Sequence, residues 1–393
     1  MDSVTVQSSW RSDLSIFFLG MCALLNLYAT QPVLEQLATQ YRVSISLATL
    51  TISATTFGVA ITAPLAGSIS DRYGRRKLML WAILAMALAT IICMFSPNFT
   101  LLLLGRLLQG IATPFVFAVA VAYITETFAP KDAVRLNSLY VAGTAFGGFS
   151  GRFFAGLFFD TFHSIPAIFL PMVIILVLAY LMTLRWLPQD DQFVPSDSVW
   201  QSIAGIGSHL LDWRLLLTCF VGMSLLFQQV ATFTYGSLRL QAAPINLSTM
   251  AVGFVFIVFL VPSILTPFIG RLILKVGVNT TFLLTCTLGI LGLLVALIPN
   301  LWTMILGLTC SCVSVFAGQS CALEFVGQHV KQNKSAAIGL YLMSYYLGGT
   351  LGGIVPGPAY AHFGWISTVG IICVISLIAL GGAQLSWHGQ PNQ

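Results

Sequence analysis

Apolar runs long enough to cross a bilayer recur from one end of the chain to the other, and short clusters of glycine, proline and charge punctuate them. Such runs are solvated by lipid, and each is long enough to close its backbone hydrogen bonds as a helix. At about 20 residues per crossing the pattern predicts twelve spans, at about 13–36, 46–70, 78–96, 99–124, 136–159, 164–187, 214–237, 248–272, 281–298, 301–324, 335–360 and 365–387. Between the sixth and seventh lies the longest polar interval, opening with Leu187-Pro188-Gln189-Asp190-Asp191-Gln192 and running to Asp212. The expected organisation is an all-α integral membrane protein. Residues 1–187 form one six-helix bundle, 188–213 a cytoplasmic linker and 214–393 a second six-helix bundle.

Two stretches repeat between these halves without a gap. Pro64-Leu65-Ala66-Gly67 through Arg72-Tyr73-Gly74 aligns with Pro267-Phe268-Ile269-Gly270 through Lys275-Val276-Gly277. Leu139-Tyr140 through Gly147-Gly148, Gly151 and Gly156 aligns with Leu340-Tyr341 through Gly348-Gly349, Gly352 and Gly357. Both matches fall at equivalent spans, which points to a duplicated, pseudo-symmetric architecture.

Composition sharpens the picture. Hydrophobic residues make up 57% of the 393 positions and charged residues 7%, with mean hydropathy +0.91. A water-soluble surface needs roughly a quarter of its residues charged, so lipid is the expected solvent and no large soluble domain fits. The net charge of +5 is spent on topology, not on nucleic acid. With both termini placed in the cytoplasm, Arg11, Arg72, Arg75, Arg76, Lys77, Lys131, Arg135, Arg185, Arg214, Arg271, Lys275, Lys331 and Lys334 fall inside. Only Arg42 and Arg239 fall outside, which is the asymmetry the positive-inside rule expects of a multi-pass protein of the inner (cytoplasmic) membrane. Arg106 and Arg152 remain, and both fall within apolar spans. The eight cysteines lie in apolar stretches with no C-x-x-C pair, as small buried hydrophobes do. The first apolar run has one arginine before it and no small-residue cleavage site after it, so it is expected to be kept as the first helix.

The densest charge cluster is Gly67-Ser68-Ile69-Ser70-Asp71-Arg72-Tyr73-Gly74-Arg75-Arg76-Lys77. Gly67 and Gly74 allow close approach and a sharp turn, Asp71 supplies an acceptor, and the basic residues need an acid or lipid phosphate. The string resembles G-x-x-x-D-R-x-G-R-R-K, the loop between spans two and three of the major facilitator superfamily. That resemblance implies two bundles of nested three-helix inverted repeats with a substrate site between them near the midplane. It also implies a conformational latch of Asp71, Arg72, Arg75 and Glu126 that ties the halves in one state. Leu274 stands where the second half would carry the acid, so the latch is expected to be one-sided.

Span four opens with Leu103-Leu104-Gly105-Arg106-Leu107-Leu108-Gln109-Gly110. A lone arginine near a helix end can snorkel to the interface. The string also resembles the L-x-x-R-x-x-x-G element of proton-driven antiporters, which implies that Arg106 takes part in proton coupling. Span five carries Gly143-Thr144-Ala145-Phe146-Gly147-Gly148-Phe149-Ser150-Gly151-Arg152 and then Gly156. Small-x-x-x-small spacing packs helices closely in lipid. It resembles the antiporter motif G-x-x-x-G-P-x-x-G-G, with Gly148 in place of the proline and Arg152 in place of the last glycine. With Gln31-Pro32 in span one and Ser344-Tyr345-Tyr346-Leu347-Gly348 in span eleven, the chain resembles the YnfM-type branch of the drug:proton antiporters. A fixed cation tunes a neighbouring carboxylate, and the accessible acids are Glu35 at the outer end of span one and Asp160 at the outer end of span five.

Polar and aromatic residues inside the spans supply a candidate cavity lining: Asn26, Tyr28, Gln31, Gln109, Tyr140, Thr144, Gln228, Gln229, Gln319, Tyr341 and Tyr345. Singly, each amide is equally well explained by a bond between helices. No carboxylate lies deep in the spans, so a neutral, amphipathic or anionic substrate facing Arg106 and Arg152 is expected over a strongly cationic one. No H-E-x-x-H, G-x-S-x-G, Walker loop or acidic metal cluster is present, and His163, His209, His329, His362 and His388 make no ligand pair. The expectation is a monomeric proton-coupled exporter of a small molecule, a drug, sugar or metabolite such as a siderophore, that uses no cofactor and no metal and is not an enzyme; the alternatives are an uptake permease of the same fold and a non-transporting membrane sensor.

Overall fold

The computed structural model describes residues 7–189, 207 and 209–387. The expected linker 188–213 falls largely on residues 190–206 and 208, outside the described residues, as does His388. Every regular element among the described residues is a helix. Among the described residues, nine helices are individually long and apolar enough to cross a membrane. In chain order these are span two (Ile45–Tyr73), three (Arg75–Met94), four (Phe99–Thr127), six (Ile165–Trp186), seven (Trp213–Gln241), nine (within Phe268–Val295), ten (Leu301–His329), eleven (Lys334–Phe363) and twelve (Trp365–Trp387). Spans one, five and eight complete the twelve. Span one is broken into Trp10–Leu25, a 3-10 turn Gln31–Val33 and Leu34–Tyr41. Span five, Pro130–Phe162, is one 33-residue helix diluted by Lys131, Asp132, Arg135, Arg152 and Asp160. Span eight begins as Thr249–Val255 and passes through a 3-10 segment, Phe256–Phe259, into Leu260–Val295.

The turn after span two is tighter than the sequence suggests. The helix continues through Gly67 to Tyr73, and the next one starts at Arg75. The whole reversal falls on Gly74, at φ 92° and ψ 137°, a conformation that a side chain resists. Its aligned counterpart Gly277 sits at φ 83° and ψ 164° between spans eight and nine. Two glycines matched in sequence thus carry matched backbone geometry. Gly67 makes no close approach, because a Cβ built on it meets nothing within 4 Å.

The small-residue spacing of span five is used against span one. A Cβ at Gly143, Gly147 or Gly151 would lie 2.2, 2.1 or 2.0 Å from the carbonyl oxygens of Phe17, Met21 and Leu25. The second half repeats the seam between spans eleven and seven, where a Cβ at Gly348 would lie 1.8 Å from the Met223 carbonyl and one at Gly352 2.5 Å from that of Phe227. Without a hydrophobic drive between helices in lipid, backbone contact of this kind holds each half together. Trp81, Leu104, Ile174, Leu284, Trp302 and Leu385 point outward, as a lipid-solvated belt requires.

The halves meet along spans two and eleven and along spans five and eight. Among the described residues, hydrogen bonds between the halves lie in the middle of the bundle and at the end opposite the basic segment 71–77. Gln36 Nε2 donates to Gln241 Oε1 at 3.2 Å and to Thr249 Oγ1 at 3.1 Å, and Gln241 Nε2 to the Pro32 carbonyl at 3.1 Å. Ser53 Oγ donates to the Thr350 carbonyl at 2.9 Å, with Thr56 and Thr350 hydroxyls 3.1 Å apart. At the other end, which carries the basic segment, the aligned positions Gly67 and Gly270 have open space around them and Leu274 is 89% exposed. The structure is closed at the end away from the basic segment.

Candidate functional site

Arg106 is fully buried in the first half. Its Nε donates to the Thr51 carbonyl at 2.9 Å, Nη1 to the Asn26 carbonyl at 2.7 Å and Gln109 Oε1 at 2.6 Å, and Nη2 to the Leu27 carbonyl at 2.9 Å. The Leu27 carbonyl is available because Pro32 interrupts span one. Pro32 has no N–H to give Tyr28, and the Gln31 N–H bonds the Tyr28 carbonyl, so the Leu27 carbonyl loses the partner an unbroken helix provides. Gln109 Nε2 and Asn26 Nδ2 then converge on Thr90 Oγ1, at 2.9 and 3.2 Å. The guanidinium binds spans one, two and four together, and no carboxylate is among its hydrogen-bond partners. The expected Arg106–acid pair is absent because backbone carbonyls already fill the fork.

Arg152 occupies the seam between the halves and is 2% exposed. Its Nε donates to Gln31 Oε1 at 2.7 Å and its Nη1 to the Gly148 carbonyl one turn back on span five. The rest of the guanidinium lies among rings: its carbon is 4.7 Å from the centroid of Tyr28, 4.6 Å from Phe256 and 4.5 Å from Phe259. The 3-10 turn explains the pair on span eight, since residues three apart eclipse at three residues per turn and present both rings to one side. A desolvated cation–π contact contributes on the order of 2 kcal/mol, which offsets much of the cost of burying this charge without an acid. Gln31 Nε2 continues across the seam to Thr234 Oγ1 at 3.1 Å.

Around this cation lie several residues expected to line a cavity. Tyr345 stacks on Tyr341 with centroids 6.1 Å apart, meets Tyr346 edge-on and donates to Gln319 Oε1 at 3.2 Å. Gln229 Nε2 donates to Cys312 Sγ at 3.5 Å while its Oε1, and the hydroxyl of Tyr341, are buried without a partner. Others serve as internal struts. Gln228 bonds Ser311 and Ser376 within the second half, Tyr140 donates to the Phe117 carbonyl, and Thr144 donates to the Val141 carbonyl of its own helix. Phe256, Phe259, Thr234 and Tyr346 belong to the seam and are absent from the sequence-derived set.

At the basic segment, Arg75 Nη2 lies 2.9 Å from Asp71 Oδ1 and donates to Glu126 Oε1 at 2.6 Å, its Nε also meets Glu126, and Nη1 donates to Ser70 Oγ at 2.8 Å. Asp71, Arg75 and Glu126 are thus brought together, all within the first half. Arg72 stands apart, over the ring of Tyr73 at 5.7 Å. Of the two acids at the end opposite the basic segment, Glu35 is half-buried beside the Gln36 bridge. Asp160 Oδ2 accepts the backbone N–H of Met250 at 2.7 Å, at the start of span eight. Neither is a hydrogen-bond partner of Arg106 or Arg152.

Comparison with known proteins agrees with this architecture. The sequence profile of the Major Facilitator Superfamily matches residues 16–260 and 238–387. The chain is 31% identical over 368 residues, 93% of its length and 89% of the relative's, to an uncharacterized transporter of Buchnera aphidicola subsp. Schizaphis graminum. It is 28% identical over 371 residues, 94% and 89% of the two lengths, to the inner membrane transport protein YnfM of Escherichia coli. A crystal structure of the nucleoside transporter NupG, in mutant form, superposes with a TM-score of 0.76 at 15% identity, covering 96% of this chain and all of the other. From its twelve spans, its matched halves and these likenesses together, the chain belongs to the Major Facilitator Superfamily of membrane transporters.

Proposed function

We propose that this protein is a proton-coupled secondary transporter of the inner membrane, with both termini cytoplasmic, that exports a small amphipathic molecule, neutral or anionic. It works as a monomer by rocking its two halves about the aromatic seam around Arg152. The observation that carries this reading is the charge of the seam: a buried guanidinium, held by rings and an amide and paired with no carboxylate, repels a cationic substrate and attracts an anionic or dipolar one. Tyr28, Tyr345 and Tyr346 supply apolar area with hydroxyls at the rim of the rings. In this reading Glu35 carries the proton, Arg106 keeps the broken part of span one in place, and the Asp71–Arg75–Glu126 cluster latches the cytoplasmic side when the outer side opens.

Inverted membrane vesicles, energised to an acid interior and monitored by acridine orange, test the proposal. Addition of an aromatic monocarboxylate or a neutral sugar is expected to release protons faster than in vesicles lacking the protein. An aromatic quaternary ammonium is expected to do nothing. A response to the ammonium alone overturns the substrate class. Full proton coupling in Glu35→Gln overturns the assignment of the acid.

A further inference from the structure

Spans five and eight meet at the outer end in a seam with three kinds of contact. Gly156 lies beneath the Thr249 carbonyl, where a Cβ would come within 2.4 Å, and Gly253 lies against the carbonyl of Arg152, where a Cβ would come within 2.8 Å. Asp160, one turn beyond Gly156, accepts the Met250 N–H at 2.7 Å. The Thr249 hydroxyl receives Gln36 from span one at 3.1 Å. One turn further along span eight, Phe256 and Phe259 close over the guanidinium of Arg152. Backbone and side chain of Arg152 are therefore held by the same stretch of span eight that Asp160 grips.

We propose that Asp160 is the clasp of the outer gate, and that releasing it draws Phe256 and Phe259 off Arg152 and exposes the central cation to the outer medium. An ionised acceptor on a backbone N–H near a helix start is among the stronger hydrogen bonds available, and it joins the two halves directly. Gly156 and Gly253 bring the two backbones into contact on either side of this bond, so span eight leaves span five by losing the bond and the glycine contacts together. The carboxylate then holds a gate, a role distinct from the proton exchange assigned to Glu35, and it gives the cage around Arg152 a defined dependence on the state of the gate.

Nitroxides placed at His163 and Asn246 by non-canonical amino acids report the gap between the outer ends of spans five and eight. In wild type a single short distance is expected. Asp160→Ala is expected to raise the ratio of long to short distances about tenfold, and Asp160→Asn, which keeps an acceptor but loses the charge, by less. Labelling of Cys312, which Gln229 holds beside the seam, by an impermeant maleimide added on the outer side and located by mass spectrometry should rise in the same order. Gly156→Ala, which wedges the seam without touching the carboxylate, is expected to lengthen the distance too and serves if Asp160→Ala does not fold. Unchanged distances in Asp160→Ala, or in both Asp160→Asn and Gly156→Ala, overturn the proposal. Loss of proton coupling in Asp160→Asn with wild-type distances also overturns it, and makes Asp160 the proton carrier instead. Failure of proton coupling in wild type bears on the proposed function and leaves the distance test intact.

Discussion

Replacing Arg106 with alanine removes one guanidinium and takes the donor from the Leu27 carbonyl and the amide oxygen of Gln109, while the Asn26 carbonyl keeps the Ala29 N–H at 3.3 Å and the Thr51 carbonyl keeps the Thr55 hydroxyl at 3.0 Å. A buried acceptor left without a donor costs about 1–3 kcal/mol. In membrane proteins, side-chain hydrogen bonds average nearer 0.6 kcal/mol because freed groups find other partners. The Leu27 carbonyl has little freedom to do so, since it sits at a break in span one that Pro32 prevents from closing. Losing the desolvation cost of the charge works the other way. A net loss of about 3 kcal/mol is expected, or about 6–12 °C in melting temperature for a unit of 150–250 residues. Arg106→Lys keeps the charge but not the fork that spans three helices, and should fall between. A thiol-reactive fluorogenic maleimide is a suited reporter in detergent, because the eight cysteines are free and mostly buried and react only on unfolding. An Arg106→Ala protein melting within about 2 °C of wild type refutes the reasoning, and returns Arg106 to a purely electrostatic role in coupling.

Gly147→Ala drives a methyl to 2.1 Å from the Met21 carbonyl and is expected to lower the melting temperature, whereas Gly67→Ala enters open space and should leave it unchanged or slightly raised in the same thiol-labelling melt. Glu126→Gln removes half of the acid around Arg75, and because Glu126 is exposed its effect on stability should stay within about 1 kcal/mol while the rate of proton release in vesicles falls. Asp212 caps span seven through the N–H groups of Arg214 and Leu215 and faces His329 at 2.8 Å. Burial alone raises the Asp212 carboxyl, but the Leu215 N–H and then the His329 ring outweigh it and hold the group below the usual carboxylate range. Its contribution to stability is therefore complete above the unfolded value of about 3.9 and is lost as pH falls through the depressed value. Tryptophan-fluorescence melts between about pH 6 and pH 3 should show that loss in wild type and not in Asp212→Asn.

The spans were legible because lipid demands unbroken apolar runs, and the repeat because Gly74 and Gly277 must both adopt a positive φ. The break at Pro32 was not legible, since the apolar pattern gives span one as about 13–36 without interruption, and the carbonyls that Arg106 binds leave no mark on residue identity. Phe256-Ile257-Val258-Phe259 fits an ordinary helix as well as the 3-10 turn that forms, so nothing in the letters says that both rings face one arginine. Asp160 reads in the sequence as the second of two outer acids, a cap or anchor of span five behind Glu35, which ends a cavity helix. The partner of Asp160 is a backbone N–H ninety residues away, which only tertiary packing brings to it. The polar cavity set divided for the same reason: Gln31 reaches the seam because span one breaks beside it, while Gln228, on an intact helix, faces into its own half.

Two guanidiniums inside the bundle, neither with a carboxylate among its hydrogen-bond partners, are charges on which a membrane potential would act. Each keeps its charge under physiological conditions. Moving one elementary charge through the full field of a 100 mV membrane changes the energy by about 2.3 kcal/mol. If rocking of the halves shifts both arginines by about a tenth of that field, the two outward and inward states differ by about 0.5 kcal/mol more than they do at zero potential, roughly a twofold change in their ratio. An interior-negative potential draws both charges inward, so the resting voltage of the cell itself becomes a force on the transport cycle, separate from any gradient of protons or substrate.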